Sequence, residues 1–296
     1  MPRGLRVWLM AMRPLSFTAA IIPVLVGTGL AADQAFRPGL FVLTLLGSMA
    51  LQGGTNLIND YYDHELGTDT AGSLGPSGVI QRGVLAPRAV LVGGLATFVA
   101  GAAIGLTIAT VVGWPVLALG VASVLGGFFY TAPPLKLAYR ALGEVTTFIF
   151  MGVIITMGAA YVQTEAFTWT AFLAAIPVGL LTAAILHANN LRDIEGDRAH
   201  DKRTLASLVG RPWADYELAA LVLGAFALAI ALPATGAAPL TALIALVALP
   251  RGLALLRGIR SARDALSLNR VLIGCVGLHL VFGLLWALGF ALDAWI

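Results

Sequence analysis

The longest stretch without a charged side chain, residues 89–135, reads AVLVGGLATFVAGAAIGLTIATVVGWPVLALGVASVLGGFFYTAPPL. A transmembrane helix needs about twenty largely apolar residues to cross the hydrocarbon core of a bilayer. The stretch is therefore long enough for two crossings. Gly113-Trp114-Pro115, near its middle, is typical of a turn between helices. The pattern predicts two adjacent membrane-spanning helices.

Other uncharged stretches repeat this pattern along the chain. They are residues 14–32, 38–59, 145–164, 166–191, 218–250 and 271–292. The stretch 218–250 is again long enough for two crossings, and Pro233–Pro239 is its turn signal. With 59% hydrophobic residues, 11% charged residues and a mean hydropathy of +0.90, the chain is too apolar for a water-soluble protein. We predict an all-α polytopic membrane protein with nine transmembrane helices, forming one domain over residues 1–296.

The basic residues support this count and give the chain an orientation. Lys and Arg in short loops accumulate on the cytoplasmic side of a membrane. With the N-terminus placed inside, 17 of the 18 basic residues fall on the inner side, and only Arg37 falls outside. We expect a multi-pass protein of the cytoplasmic (inner) membrane, with its N-terminus in the cytoplasm and its C-terminus on the outer side. The sequence pI near 9.3 suits an anionic leaflet and gives no reason to expect nucleic acid as a partner.

The acidic residues concentrate at two places on the predicted inner side. Eight of the 15 lie in residues 59–69 and 193–201, each at the end of a predicted helix. Clustered like charges repel each other and usually require a cation, and hard oxygen ligands favour Mg2+ bridging to a phosphate. Two facing clusters would hold magnesium and clamp one diphosphate. The alternative, ordinary solvated loops, is disfavoured because both clusters contain Asn as well as Asp and occupy matching positions.

The first acidic motif, residues 56–69, reads NLINDYYDHELGTD. Four of its polar side chains have the spacing i, i+3, i+4, i+7 and are expected on one helix face. They are Asn56, Asn59, Asp60 and Asp63. Asp69 follows Gly67 and is expected on a turn.

The second acidic motif, residues 189–203, reads NNLRDIEGDRAHDKR. Four of its side chains repeat every four residues and would form a ridge if the helix continued. They are Asn189, Asp193, Asp197 and Asp201. Both motifs contain an Asn-x-x-x-Asp core, so we interpret them as pseudo-equivalent halves of one site.

Further segments accompany the two motifs. They are Arg13-Pro14, Gly75-Pro76, Gln81-Arg82-Gly83, Tyr130-Thr131-x-Pro133-Pro134, Leu142-Gly143-Glu144 and Lys202-Arg203-Thr204-Leu205. Together with Asn59-Asp60-x-x-Asp63 and Asn189-Asn190-x-Arg192-Asp193-x-x-x-Asp197-Arg198, they resemble the UbiA family of intramembrane aromatic prenyltransferases. The resemblance covers essentially the whole chain and is greatest to the 1,4-dihydroxy-2-naphthoate polyprenyltransferases of menaquinone synthesis.

This resemblance implies helices around a central cavity that opens to lipid, with the aspartates at its cytoplasmic mouth. It also implies magnesium-assisted loss of diphosphate from a polyprenyl diphosphate, followed by alkylation of an aromatic acceptor. For the naphthoate subgroup, the ring carboxylate is lost as carbon dioxide. Gly67, where the wider family has an aspartate, is typical of this subgroup, whereas Ser77-Gly78 and Pro134-Leu135-Lys136 depart from it. The alternatives within the enzyme class are 4-hydroxybenzoate prenylation and terpene cyclisation.

The motifs and the resemblance together assign roles to individual residues. Metal ligands are expected at Asn59, Asp60, Asp63, Asp69, Asp193, Asp197 and Asp201. Substrate-binding residues are expected at Asn56, Asn59, Arg82, Lys136, Arg140, Asn189, Arg192, Arg198, Lys202 and Arg203. Asp63, Asp69, Asp193 and Asp197 are expected to serve the reaction directly.

Several of these roles have alternatives. Asp69 is either a base that removes a phenolic proton from the acceptor or a metal ligand. Lys136 and Arg140 either contact substrate or anchor a helix on the inner side. Glu144 either belongs to the site or complements a helix N-terminus, and His187 either touches the acceptor or hydrogen-bonds within the bundle.

Two other protein classes fit a polytopic chain with membrane acids. A secondary transporter would place its polar site near the bilayer midplane on broken helices. Here the acids collect at one surface, which favours the enzyme. A structural membrane subunit would have no need of either motif.

Overall fold

The computed structural model describes residues 4–32, 36–69 and 77–295. Arg3 and the Gly75-Pro76 pair lie outside the described residues. The α-helices are α1 (Leu5–Ala11), α2 (Thr18–Gly29), α3 (Pro38–Glu65), α4 (Pro87–Val112), α5 (Pro115–Phe129), α6 (Gly143–Thr147), α7 (Ile155–Thr164), α8 (Trp169–Arg192), α9 (Ile194–Ala199), α10 (Leu205–Val209), α11 (Arg211–Ala234), α12 (Leu249–Ser261) and α13 (Ala265–Asp293).

Shorter helical turns extend several of these helices. 3-10 turns at Pro14–Phe17 and Leu240–Ala248 lead into α2 and α12, and a third lies at Leu137–Tyr139. A π-helical segment, Phe148–Ile154, joins α6 to α7, so that Gly143–Thr164 is one continuous helix. Within the described ranges the chain has no strand, only an isolated bridge between Arg140 and Arg203. The predicted all-α class is confirmed.

Proline, glycine and capping side chains set the helix boundaries. Proline occupies the first turn of α3, α4 and α5, where its missing N–H costs nothing. Gly113 ends α4 with φ +92°, so the predicted turn between the two halves of residues 89–135 is confirmed. The stretch 218–250 also divides as predicted, because α11 ends at Ala234 and the next helical turn begins at Leu240. Asp264 and Ser267 form a capping box at the start of α13.

The number of spans agrees with the sequence only in part. Seven helices in the described part of the chain are long and apolar enough to cross a membrane. The pair Leu5–Ala11 and Pro14–Gly29, bent by 60°, makes an eighth if it counts as one broken span. Pro115–Phe129 has 15 residues and is about 22 Å long, less than the roughly 30 Å hydrocarbon core. The chain is a multi-pass membrane protein, and the ninth span stays a prediction.

Helix α8 lies in the middle of the bundle and is packed on several sides, against α2, α11 and α13 and against the π-helical segment. A Cβ added at Gly152 would lie 2.3 Å from the Cα of Gly179, so the π-helical segment and α8 touch through their backbones. Phe226, Phe282 and Trp286 pack into one aromatic core, with ring centroids 5.4 and 5.9 Å apart. Helices α2 to α5, α7 and the π-helical segment surround a cavity beside this core.

Candidate functional site: a cavity closed by two acidic motifs

The bundle encloses a cavity of about 850 Å³ whose two ends differ in polarity. Its greater part is lined by aliphatic, aromatic and glycine residues of α4, α5, the π-helical segment and α7. Its polar end is lined by Arg13, Asn56, Asn59, Asp63, Asp69, Ser77, Asn189, Asn190, Arg192, Asp193, Lys202 and Asn269. A large apolar pocket with a few converging polar groups is typical of a small-molecule site. The central cavity predicted from the resemblance is therefore present, and residues of both acidic motifs line its polar end.

The first motif folds back on itself. Helix α3 ends at Glu65, and Gly67 takes φ +73°, a conformation that favours glycine. The backbone N–H of Asp69 then donates to the carbonyl of Asp63 over 3.3 Å, so both carboxylates lie at the same end of the cavity. Asn59 donates its amide hydrogen to Asp63 Oδ2 at 2.9 Å. The predicted turn that carries Asp69 is confirmed.

Asp60 and Asn56 of this motif hold the N-terminal segment in place. The Asp60 carboxylate pairs with the Arg13 guanidinium and accepts a hydrogen bond from Ser77 Oγ. The Asn56 amide donates to the carbonyl of Met12 and to Ser16 Oγ, both at 2.7 Å. Both side chains therefore fasten the bend between α1 and α2 to α3. Asp60 does not line the cavity, so its expected role as a metal ligand gains no support from this geometry. Asn56 does line the cavity and stays a predicted substrate-binding residue.

The second motif does not form the predicted ridge. Helix α8 ends at Arg192, and Asp193 is the bend before the short helix α9. Asp201 follows α9 with φ +53°, is exposed and does not line the cavity. The expectation that the helix continues through all four residues was wrong, and Asp201 as a metal ligand loses its geometric support.

Arg192 explains why the helix bends at this point. Its guanidinium donates to both carboxylate oxygens of the adjacent Asp193, at 2.7 and 2.6 Å. It also donates to Asn189 Oδ1 and, across the bundle, to Asn269 Oδ1 of α13, both at 2.9 Å. A bidentate pair between adjacent residues, tied to a second helix, fixes the local direction of the chain.

The two motifs meet at Lys202. Its Nζ lies 3.7 Å from Asp197 Oδ1 and 4.0 Å from Asp63 Oδ2. Tyr139 completes this contact, because its hydroxyl donates to Asp63 Oδ1 at 2.7 Å and its ring centroid lies 5.3 Å from the Lys202 ammonium. Thr204 Oγ1 donates to Asp197 Oδ2 at 3.2 Å. Residues that are more than a hundred positions apart in the sequence thus form one polar cluster.

The pKa shifts of this cluster come first from burial and then from neighbouring charges. Burial and then the charge of Asp63 raise the pKa of Asp69 to about 7. Burial raises the pKa of Asp197 to about 6, although Lys202 opposes it. Burial lowers the pKa of Lys202, but Asp63 and Asp197 outweigh that effect and raise it. Burial and Asp63 also raise the pKa of the Tyr139 hydroxyl, so it stays a hydrogen-bond donor.

The donor set at this end of the cavity fits a hard divalent cation. Carboxylate and amide oxygens come from Asn59, Asp63, Asp69 and Asp193, which line the cavity, and Asp197 adjoins them through Lys202. Oxygen ligands are those that Mg2+ prefers. Asp69 Oδ2 is buried and has no hydrogen-bond partner among the described residues. The Lys202 ammonium already lies between carboxylates of both motifs, which shows that the cluster attracts positive charge.

Other predicted basic residues lie outside the cavity lining. The side chains of Arg82, Arg140 and Arg198 are exposed and donate to the backbone carbonyls of Gly78, Pro134 and Ser207, at 3.0, 3.1 and 2.8 Å. Arg203 is also exposed, and its carbonyl accepts from Ala141 N at 2.6 Å. Lys136 is half-buried with φ +45°. Of the predicted basic residues, Arg192 and Lys202 line the cavity and these five do not.

Arg13, Tyr139 and Asn269 contact residues of the two motifs, and none of them was assigned a role from the sequence. Arg13 belongs to a segment that carries the family resemblance. Its pairing with Asp60 shows that it fastens the N-terminal segment to α3. Tyr139 follows Lys136 in the segment between α5 and α6, where an aromatic residue gives no distinct signal. Asn269 is a single polar residue near the start of α13, and only the fold brings it to Arg192.

Comparison with known proteins agrees with this geometry. The chain is 32% identical to the 1,4-dihydroxy-2-naphthoate octaprenyltransferase of Bacillus subtilis (strain 168), over 94% of this chain and 89% of that protein. It is 34% identical to the Escherichia coli (strain K12) protein of the same name, over 73% of each chain. The solved structure of a UbiA homolog from Archaeoglobus fulgidus bound to GPP and Mg2+ superposes with a TM-score of 0.67 at 18% identity, covering 94% of this chain and 98% of that one, and so supports the fold.

The family description that matches the chain is the UbiA prenyltransferase family, over residues 20–273. The match covers most of the chain and includes both acidic motifs and the cavity between them. The chain belongs to the UbiA prenyltransferase family and is a membrane-embedded prenyltransferase.

Proposed function

We propose that this protein transfers a polyprenyl group from an allylic diphosphate to 1,4-dihydroxy-2-naphthoate, with Mg2+ as cofactor, in menaquinone synthesis. The observation that carries the proposal is the position of Lys202, within 4.0 Å of carboxylates of both acidic motifs at the polar end of a large apolar cavity. The names of the Bacillus subtilis and Escherichia coli relatives support the naphthoate acceptor.

The two ends of the cavity suit the two ends of an allylic diphosphate. A prenyl chain is apolar and would lie among the aliphatic and glycine residues of α4, α5 and the π-helical segment. The diphosphate would lie at the polar end, where Lys202 and Arg192 offer positive charge. Mg2+, when bound by Asn59, Asp63, Asp193 and Asp197, would neutralise the diphosphate as it leaves.

The reaction breaks the C–O bond between the allylic carbon and the diphosphate, which leaves with the electron pair. A ring carbon of the acceptor forms a C–C bond with the allylic carbon. The ring carboxylate leaves as carbon dioxide and returns its bonding electrons to the ring. The apolar lining excludes water, which would otherwise capture the allylic cation.

Asp69 is our candidate for the acceptor side of the site. It lines the cavity beyond the turn at Gly67, and its Oδ2 has no partner among the described residues. As a base, Asp69 would accept a phenolic proton, which raises electron density on the ring, and return it when the hydroxyl re-forms. Asn189 lines the same end of the cavity and would bind substrate there.

The remaining proposals concern the placement of the whole chain. We propose that residues 1–296 form one transmembrane prenyltransferase domain with pseudo-equivalent motifs at 56–69 and 189–203. We also propose that it lies in the cytoplasmic membrane with the N-terminus inside, since basic residues collect on one side.

An acceptor panel tests the proposed function. The purified chain in nanodiscs is given a polyprenyl diphosphate and Mg2+ with 1,4-dihydroxy-2-naphthoate, with 4-hydroxybenzoate, or with no acceptor. Lipid products and carbon dioxide release are measured by mass spectrometry. We expect a prenylated naphthalene with release of carbon dioxide. A benzoate product would overturn the acceptor, an acceptor-independent product would indicate cyclisation, and solute uptake by liposomes without any product would indicate a transporter.

A further inference from the structure

A second polar cluster lies outside the cavity lining, where α6, α8 and α11 meet. It consists of Glu144, His187 and Glu217, whose ligand atoms all lie within 4.8 Å of one another. His187 Nδ1 is 3.1 Å from Glu144 Oε1 and 3.6 Å from Glu217 Oε1. His187 is fully buried and Glu144 is 5% exposed. None of the three lines the cavity, so the cluster is separate from the diphosphate site.

The hydrogen bonds around His187 fix the state of its ring. Nε2 lies 2.8 Å from the backbone carbonyl of Ala214, which can only accept, so Nε2 bears the hydrogen. In the neutral ring, Nδ1 then directs its lone pair at the two carboxylates. A histidine that donates one ring N–H to a carbonyl and presents its other nitrogen to anionic oxygens has the usual arrangement of a metal ligand.

Charge balance favours a divalent cation over a proton between His187 Nδ1 and the carboxylates of Glu144 and Glu217. A proton on His187 Nδ1 would compensate only one of the two carboxylates. It would also leave Glu144 Oε2, which is buried and has no partner among the described residues, without a donor. A divalent cation would compensate both carboxylates and supply a contact for that oxygen. Among the described residues, the side-chain amide of Asn190 donates to Glu144 Oε1 at 3.0 Å, which leaves Oε2 without a hydrogen-bond partner.

The spacing of the donors also fits a small cation. A tetrahedral site with metal–ligand bonds of about 2.0 to 2.1 Å has neighbouring ligands about 3.3 Å apart, and the two distances from His187 Nδ1 lie on either side of that value. One imidazole nitrogen with two carboxylates suits a first-row transition ion better than Mg2+, which prefers oxygen alone. We propose that Glu144, His187 and Glu217 bind a divalent transition-metal ion, with Zn2+ as the probe, at a site distinct from the diphosphate site.

The three residues of the cluster lie on three different helices, so a bound ion would join those helices. Glu144 lies in α6, His187 in α8 two residues before Asn189, and Glu217 in α11. The ion would therefore cross-link three helices directly behind the second acidic motif. The side chain of Glu217 is 25% exposed and offers a way in from the protein surface.

Zinc retention by the full-length protein tests this proposal and does not depend on its acceptor. The protein is stripped with chelator, equilibrated with Zn2+ in excess Mg2+ to occupy the aspartates, and desalted before metal analysis. We expect about one retained Zn2+ per chain and a higher melting temperature with Zn2+. Glu217→Gln should weaken zinc binding by about 10-fold or more and remove the melting shift. Because Glu217 is partly exposed, this variant is expected to fold.

Two control variants locate the ion. Asp293→Asn removes one exposed carboxylate near the C-terminus and should retain zinc as the wild type does. Asp63→Asn disturbs the diphosphate site and should also retain it. Loss of zinc in Asp63→Asn, equal retention in Glu217→Gln and wild type, or no retention by the wild type would each overturn the proposal.

Discussion

The hydroxyl of Tyr139 donates to Asp63 Oδ1 over 2.7 Å, although the two residues are 76 positions apart. Tyr139 lies in the 3-10 turn between α5 and α6, and Asp63 lies in the last turn of α3. The bond leaves Asp63 Oδ2 directed at Asn59 and Lys202. The segment between α5 and α6 therefore orients a carboxylate of the first motif.

Tyr139→Phe should weaken the response to Mg2+ while keeping the fold. The change removes the hydrogen bond to Asp63 but keeps the ring beside Lys202, and loss of such an orienting contact typically costs 10- to 100-fold in metal affinity or activity. Initial rates measured against Mg2+ concentration should show half-saturation shifted upward by about 10-fold. Tyr216→Phe, an exposed tyrosine in α11, is the matched control. An unchanged magnesium response would mean that Tyr139 only packs.

Lys202→Met should lower both the melting temperature of the metal-free protein and its catalytic efficiency. The Lys202 ammonium compensates Asp63 and Asp197, so its loss leaves two buried carboxylates without a cation. We expect the metal-free variant to melt below the wild type, added Mg2+ to raise its melting temperature more than that of the wild type, and kcat/KM for the diphosphate to fall about 10-fold or more. Arg257→Met, which removes an exposed charge in α12, should change neither quantity. Full activity in Lys202→Met would remove this residue from the diphosphate site.

Asp60→Asn and Asp63→Asn should have different melting temperatures in the absence of metal. Asp60→Asn breaks the ion pair with Arg13 and should cost about 1 to 3 kcal/mol, because it leaves a partly buried guanidinium without its charged partner. Asp63→Asn removes a carboxylate from a cluster with excess negative charge and should not lower the melting temperature of the metal-free protein. Both should lower activity. Thermal unfolding in chelator measures the difference, and equal melting temperatures would indicate that Asp60 serves the metal rather than the fold.

Gly105→Leu and Gly120→Leu should shorten the prenyl chain that the enzyme accepts. Both glycines line the cavity, and a Cβ at either position would meet nothing within 4 Å. A leucine there would fill space that a long chain needs. With donors of increasing length, kcat/KM should fall selectively for the longest by about 10-fold or more. Gly277→Leu in α13 also adds its Cβ to open space but lies outside the cavity lining, so it should leave the length profile unchanged.

The sequence predicted the fold well because uncharged length and turn residues are local signals. Gly113-Trp114-Pro115 and Pro233–Pro239 divided the long apolar stretches where the structure divides them. The span count was less secure, because Pro115–Phe129 is short and α1 and α2 meet at a sharp bend. Neither length nor charge reveals such a bend, at which Arg13 takes φ +56° and pairs with Asp60.

The site was predicted in composition but not in detail. Helical spacing brought Asn59 and Asp63 together, and Gly67 correctly indicated the turn before Asp69. The same spacing gave a wrong prediction at Asp193, because the helix ends at Arg192, whose guanidinium donates to the Asp193 carboxylate. The spacing of polar residues predicts a common face only if the helix continues. It does not show where side-chain contacts end the helix.

The π-helical segment Phe148–Ile154 sets the angular phase between the two halves of the span Gly143–Thr164. The N-terminal half of that span places Glu144 beside His187. The C-terminal half lines the cavity with Ile155, Gly158 and Ala159. A π-helical turn, with its i→i+5 hydrogen bonds, takes one more residue than an α-helical turn. Deleting one residue within the segment would let it close as α-helix, whereas a deletion in the α-helical turns on either side would rotate one half of the span against the other by about 100°. A deletion within the segment should therefore be tolerated better than a deletion beside it.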